Sequence, residues 1–150
     1  MYPPMEELLT HRGNMLLLDH VVAAGPDHVR VAAVVDGNAW YADAEGAMPA
    51  WIGIELMAQA IGTLVGLVAR GQNLPPRQGM LLGTRSFTTR RAAFARGENL
   101  EITAREVFKE TNGLAAFDAS IEIAGETVAE ATLKVFEPAD FKTTLEQSRQ

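Results

Sequence analysis

Residues 48–62 read MPAWIGIELMAQAIG, a nearly unbroken apolar run that holds one carboxylate, Glu55. Pro49 is typical of a helix start, and the run stays apolar as far as Ala69 before Gly71 and two prolines end it. A helix over about 49–69 with apolar side chains on nearly all sides must be enclosed by the rest of the chain. The stretch therefore predicts a central helix around which the fold is wrapped.

Three polar residues spaced four apart interrupt this helix: Glu55, Gln59 and Thr63. Because a helix has 3.6 residues per turn, they form one line along one side. Polar groups on an enclosed helix require polar partners, water or a ligand. A carboxyl group held there suits general acid or base chemistry, and a buried salt bridge to Arg30 or Arg85 is the structural alternative.

The flanking segments read as strands. Residues 14–24 and 28–36 are apolar or alternating, and Gly25-Pro26-Asp27 is a turn signal between them. After the helix, strands are predicted over 80–94 (bent near Gly83), 100–110, 114–123 and 127–137. The element order predicts an α+β protein in which a curved antiparallel sheet wraps one long helix. One domain over 1–138 and a polar tail over 139–150 follow.

Composition excludes several classes of function. The formal net charge is −6 and no run of Lys or Arg is present, which argues against a nucleic-acid partner. Because the chain has no cysteine and only three scattered histidines, we expect no metal site. The sequence contains no nucleotide-binding motif that would indicate a cofactor. The N-terminus does not read as a signal peptide, and Glu55 argues against insertion of the apolar helix in a membrane. We expect a cytoplasmic protein without a cofactor.

Four stretches, in order, resemble one enzyme family: 11–19 (HRGNMLLLD), 48–59 (MPAWIGIELMAQ), 80–87 (MLLGTRSF) and 97–100 (GENL). They are similar to motifs of the beta-hydroxyacyl-acyl-carrier-protein dehydratases of fatty acid synthesis. The closer resemblance is to the dehydratase-like proteins of aryl polyene gene clusters. The resemblance spans about residues 8–136 and implies the hot-dog fold, which agrees with the element order above.

The resemblance also implies an active site shared between two subunits. In that family a histidine of one subunit removes the proton at C2 of the acyl thioester, and an acid on the other subunit's helix protonates the leaving C3 hydroxyl. Glu55 matches the acid, and Ala50 lies at the position whose backbone N–H polarises the thioester carbonyl. Gln59 is expected to orient Glu55 or to bind substrate, and Gly83 to line the acyl tunnel.

The family histidine has no counterpart. It lies fourteen residues before the acid, where this chain has Tyr41, and no histidine follows His28. His11 falls in a His-Arg pair that the family uses structurally, and His20 and His28 match no catalytic position.

Four interpretations remain open. The first is a dehydratase with altered chemistry that uses Tyr41 or Asp43, and the second is a subunit that pairs with a histidine-bearing homologue. The third is a hot-dog thioesterase, and the fourth is a non-catalytic acyl-thioester binder.

A shared site predicts a homodimer, a larger assembly of dimers or a heterodimer, with sheets joined edge to edge and the loop 37–48 buried near the site. The expected substrate is an acyl group on acyl carrier protein, in fatty acid or aryl polyene type synthesis. Because that carrier is acidic, docking requires basic residues. Arg90, Arg91 and Arg96 are the candidates, and a solvated surface is the alternative for each.

Overall fold

The structure, a computed structural model, describes residues 2–74 and 80–136. The long helix expected over 49–69 is present as a 3₁₀ turn, Ala50–Ile52, that continues into α2, Gly53–Gly71. Before it, the double proline is followed by a one-turn helix α1, Met5–Leu8. The prediction of one central helix is therefore confirmed.

Eight strands accompany the helices in the described part of the chain. They are β1 (His20–Ala24), β2 (His28–Val34), β3 (Met48–Pro49), β4 (Met80–Thr89), β5 (Ala93–Phe94), β6 (Asn99–Lys109), β7 (Leu114–Ile123) and β8 (Glu126–Phe136). Six of them form one antiparallel sheet in the order β1-β2-β6-β7-β8-β4, and β3 pairs with β5. This is the expected α+β hot-dog architecture.

The core lies between α2 and the sheet. Alternate residues of β6 point at the helix, so that Leu100 and Ile102 are fully buried, and on the helix Leu56 and Met57 meet them. Burial of each such side chain contributes about 1.5–3 kcal/mol. The segment Ala50–Gly71 is long and apolar enough to cross a membrane, with mean hydropathy 1.8, but 61% of that stretch is buried inside this fold. That burial is the environment of a core helix.

Two glycines on α2 let the N-terminal segment lie directly on the helix. A Cβ at Gly66 would be 2.5 Å from the carbonyl oxygen of Leu8, and one at Gly62 would be 2.9 Å from Leu9 Cδ2. Both distances are too short for real carbon contacts. At Gly66 the obstacle is backbone, so a side chain is excluded there, whereas at Gly62 the end of the Leu9 side chain would have to shift. The close approach of a second helix that glycine permits places α1 against the middle of α2.

Two expected strands differ from the structure. Residues 14–24 are not one strand: Gly13–Met15 forms a 3₁₀ turn and β1 begins only at His20. In the intervening backbone the N–H of Leu17 donates to the side chain of Gln59 on α2, and bonding to the neighbouring strand β2 begins only with the N–H of Asp19. The segment 80–94 is divided into β4 and β5, and β4 has register shifts on either side of Gly83–Arg85. The predicted tail, 139–150, lies outside the described residues.

The contact between α1 and α2 can be tested by substitution. Gly66→Ala should lower the free energy of unfolding by about 1–3 kcal/mol, because the added methyl displaces the Leu8 backbone. Gly71→Ala is the matched control: no atom lies within 4 Å of its added Cβ, and alanine is the better helix former. Chemical denaturation measures both. Equal effects of the two substitutions would contradict the packing of α1 on α2.

Candidate active site

Glu55 lies in the first turn of α2, and only one oxygen of its carboxyl group contacts other side chains of the described residues. Its Oε1 accepts a hydrogen bond from Gln59 Nε2 at 3.0 Å and lies 3.5 Å from His11 Nε2. Oε2 has no hydrogen-bond partner within the described ranges. The side chain is 41% exposed, so the enclosed carboxyl group expected from the sequence is wrong for the single chain. Glu55 instead faces an open side of the helix with one oxygen free.

Gln59 is the fixed point of this site. It is 1% exposed and uses all its amide groups. Nε2 donates to the carbonyl of Met15 at 2.8 Å and to Glu55, while Oε1 accepts from the N–H of Leu17 at 3.0 Å. No donor is left for a substrate, so the orienting role expected for Gln59 fits the structure and substrate binding does not.

The rest of the polar line is satisfied inside the chain. Thr63 Oγ1 donates to the Gln59 carbonyl at 2.8 Å. The structural alternative for Glu55, a salt bridge to a guanidinium, is not found in the described residues, and Arg30 pairs with Glu101 at 3.1 Å instead. The line therefore serves to join α2 to the N-terminal segment, and Glu55 is its open end.

His11 is the neighbour of Glu55 that sequence reasoning missed. Its ring is 35% exposed, and Nδ1 is buried without a hydrogen-bond partner among the described residues. Arg12 fixes the backbone on either side, since its guanidinium donates to the carbonyls of Glu6, Leu9 and His11 at 2.6–2.7 Å. The His-Arg pair in the 11–19 motif was a signal for this placement.

The structure assigns the N–H of Ala50 a different partner from the one expected. It donates to the carbonyl of Ala92 at 2.9 Å, extending the short β3–β5 ladder. In this structure that amide is engaged within the chain, and the expected oxyanion role of Ala50 stays a prediction. The acceptor is Ala92 because Ala92 directly precedes β5, the strand that pairs with β3 just before Ala50.

Tyr41 and Asp43, the candidates for the missing base, both bind their own loop. The Tyr41 hydroxyl accepts from the N–H of Asp36 at 2.9 Å, and the side chain is buried. Burial raises the pKa of Tyr41, with the Asp36 and Asp19 carboxylates adding to the rise and the Asp36 N–H opposing it. Asp43 Oδ1 accepts from the amides of Glu45 and Ala47. Tyr41 is thus a neutral hydroxyl in a structural contact.

Gly83 lies on the exposed strand β4, where an added Cβ would meet no atom of residues 2–74 or 80–136 within 4 Å. The chain alone therefore builds no narrow tunnel at Gly83. Strand β4 is an edge of the sheet: it pairs with β8 and has no second neighbour among the described strands. Leu81 and Leu82 on it are 42% and 55% exposed. An edge strand that presents unpaired backbone groups and two exposed leucines is suited to pairing with another chain.

The three arginines considered for carrier docking are mostly engaged. Arg91 makes a two-pronged ion pair with Glu98, which lowers the pKa of that carboxyl. Arg90 donates to the Thr127 carbonyl at 2.9 Å. The Arg96 guanidinium fills the space where side chains at Gly37 and Gly46 would otherwise lie. These contacts favour structural roles on the surface.

A comparison with protein families resolves the membership of the chain. Residues 3–146 match the family model described as "ApeP-like: ApeP dehydratase". The chain belongs to the ApeP-like dehydratase family. This confirms the resemblance to dehydratase-like proteins of aryl polyene clusters and makes the ApeP-like chain a dehydratase-like protein. No curated protein sequence matched it.

Solved structures agree on the fold. "The Dehydratase Heterocomplex ApeI:P" from Xenorhabdus doucetiae matches with TM-score 0.90 and 25% identity over 100% of both chains. A hypothetical thioesterase with coenzyme A from Streptococcus pneumoniae matches with TM-score 0.63 and 19% identity over 79% of this chain and 84% of that one. The E. coli PaaI protein matches with TM-score 0.59 and 14% identity over 78% and 81%. The last two show the fold alone.

The anchoring role of Gln59 gives a prediction about stability. Gln59→Leu keeps the volume but leaves the Leu17 N–H and the Met15 carbonyl without partners. We expect the free energy of unfolding to fall by about 2–4 kcal/mol, since each orphaned polar group costs about 1–3 kcal/mol. Denaturant titration measures this. Gln72→Leu, at the exposed end of the helix, is the control, and an equally small effect at both positions would refute the anchor.

The raised pKa of Tyr41 gives a prediction about pH. Folding favours the neutral hydroxyl, so its contribution is fully present below the unfolded pKa of about 10 and is lost as the pH rises through the higher folded pKa. The free energy of unfolding should therefore decrease as the pH rises above about 10, the unfolded pKa of tyrosine. Tyr41→Phe should lose about 1 kcal/mol at neutral pH and reduce that alkaline decrease. Tyr2→Phe, at an exposed position, should retain it; identical pH curves for both variants would count against the buried hydroxyl.

Proposed function

We propose that the ApeP-like chain is the acid-bearing subunit of a 3-hydroxyacyl-acyl-carrier-protein dehydratase of aryl polyene type synthesis in the cytoplasm. Its partner is a hot-dog subunit that carries the family histidine. The observation that carries the proposal is the state of Glu55: one carboxyl oxygen is held by Gln59 and the other is free on an open side of α2.

The edge strand supplies the place for a partner near this acid. Phe87 of β4 lies against the start of α2, because a Cβ at Gly53 would be 3.7 Å from Phe87 Cζ. A strand added to the free edge of β4 would lie about 5 Å further out. It would therefore run past the 3₁₀ turn and the first turn of α2, which also carry Trp51, which is 65% exposed, and Glu55 on the helix face turned away from Gly53. A site shared across this edge fits both the open acid and the absent base.

The similar complex from Xenorhabdus doucetiae supports a heterodimer over a self-sufficient homodimer, because that complex is a dehydratase heterocomplex. The position fourteen residues before Glu55 supports the same choice. Tyr41 is buried and neutral there, and a neutral phenol does not remove a proton from carbon. The base is therefore assigned to the partner.

In the proposed reaction the partner's imidazole takes the C2 proton of the 3-hydroxyacyl thioester. The electron pair of the C2–H bond forms the C2=C3 double bond, the C3–O bond breaks, and Glu55 donates its proton to the leaving hydroxyl, which departs as water. The products are an enoyl thioester and water, with Glu55 left as carboxylate and the imidazole protonated. Transfer of one proton between them through water restores both groups.

The assignment is tested by mixing the subunits. This chain, a histidine-bearing hot-dog subunit from the same organism, and both together are each given a 3-hydroxyacyl carrier-protein thioester, and products are followed by mass spectrometry and a free-thiol assay. We expect enoyl product only from the mixture. Glu55→Gln should lower kcat by about 10²–10⁴ because the general acid is lost.

Glu45→Gln, the same change on the exposed loop before the helix, is the matched control and should keep full activity. Dehydration by this chain alone would contradict the shared site. Free thiol without enoyl product would favour the thioesterase alternative, and substrate binding without any product would leave a binding protein.

A further inference from the structure

The contact between His11 and Glu55 is not used by the mechanism above. His11 Nε2 lies 3.5 Å from the same oxygen, Oε1, that accepts from Gln59 Nε2 at 3.0 Å. Two groups able to donate therefore converge on one carboxyl oxygen. A contact of 3.5 Å is long for a hydrogen bond, but such contacts in free enzymes are often long and shorten when substrate binds.

The buried side of the His11 ring restricts which nitrogen carries the proton. Nδ1 is buried and has no partner in the part of the chain that the structure describes. A proton on Nδ1 would leave a buried donor without an acceptor, and orphaned buried N–H groups are rarer in proteins than under-satisfied acceptors. The burial of Nδ1 thus favours the neutral ring with its proton on Nε2, the nitrogen that lies 3.5 Å from Glu55 Oε1.

This arrangement argues against three other roles for His11. A base would need a free lone pair on Nε2, which places the proton on the buried Nδ1. A salt bridge to Glu55 would need a protonated ring, with the same buried donor. A proton relay would need a partner behind Nδ1, and the described residues place none there. A hydrogen-bond donor to Glu55 is the role that remains.

We propose that His11 is a positioning residue for the acid: together with Gln59 it keeps Oε1 of Glu55 an acceptor, so that the proton to be transferred resides on Oε2. Oε2 is the oxygen left free for substrate on the open side of the helix. Arg12 supports this role because it binds the carbonyls of His11 and Leu9 and so fixes the ring beside Glu55. The inference rests on the proposed function of Glu55.

The proton position on His11 is measured in the wild-type chain without any assay. Long-range ¹H–¹⁵N NMR of the imidazole distinguishes the two neutral tautomers and the protonated ring. We expect the Nε2–H tautomer for His11 at neutral pH, and Glu55→Gln should shift the Nε2 resonance. The Nδ1–H tautomer, or a protonated ring, would overturn the inference whether or not the complex is active.

Kinetics of the assembled dehydratase test the role itself. His11→Ala should lower kcat about 10- to 100-fold and leave KM within about twofold, because misplacement of a catalytic group by about 1 Å costs up to 10²-fold in rate. His11→Gln places an amide nitrogen near the former Nε2 and should recover most of kcat. His28→Gln, whose ring contacts Asp27 at an exposed turn, is the matched control.

The outcomes separate this inference from the function on which it rests. If Glu55→Gln is inactive while His11→Ala keeps its kcat, the positioning role fails and the dehydratase proposal stands. If His11→Ala is impaired but His11→Gln gives no recovery, the ring itself is required and the donor role fails. If Glu55→Gln remains active, the proposed function fails, and the NMR measurement still decides whether His11 donates to residue 55.

Discussion

The primary amide of Gln59 is the interaction on which the site depends. It is a buried group with one acceptor and two donors, and its three hydrogen bonds join α2, the backbone at Met15 and Leu17, and the carboxyl of Glu55. An unpaired amide inside a protein is costly. Folding of α2 therefore requires the Met15–Leu17 backbone and the Glu55 carboxyl group to be in place around Gln59. The orientation of the acid is therefore a consequence of folding and needs no ligand.

The N-terminal segment completes this arrangement from the other side. Gly62 and Gly66 leave room for α1 on α2, and Arg12 binds the carbonyls at the end of α1. The chain then passes the acid with His11 beside it. A single subunit thus holds its carboxyl group with backbone and side-chain contacts of its own, while the opposite side of the helix turn stays open. In the proposed dehydratase this subunit would supply the acid and its partner would supply the base.

Much of the fold could be predicted because it rests on local chemistry. Pro49 is typical of a helix start, and Asn-Gly is a strong signal for a short hairpin. Asn112-Gly113 joins β6 to β7, where Gly113 has a φ of 98° and the Asn112 side chain accepts from the N–H of Leu114. The four-residue spacing of Glu55 and Gln59 was also visible. The stretch MLLLD was misread as strand, since its apolar content is that of a strand but its amide at Leu17 bonds a side chain 42 residues away.

The remainder of the site depends on contacts that sequence does not carry. The Ala50 amide is engaged because the Ala92 carbonyl, far away in sequence, lies next to it. Gly83 lies on an exposed strand, so only a second chain could enclose it. His11 and Glu55 are 44 positions apart, and only the packing of α1 on α2 brings them together. The family resemblance implied a structural role for the His-Arg pair. In the structure Arg12 binds backbone carbonyls, as expected of that role, and His11 lies beside Glu55.

A crystal structure of the ApeP-like chain with its histidine-bearing partner tests the central claim most directly. The account predicts that the partner's sheet continues from β4, that Glu55 keeps its bond to Gln59, and that the partner's imidazole faces Oε2 across a space that one acyl thioester fills. A partner bound to β1 or to the outer face of the sheet, with no histidine near Glu55, would contradict it.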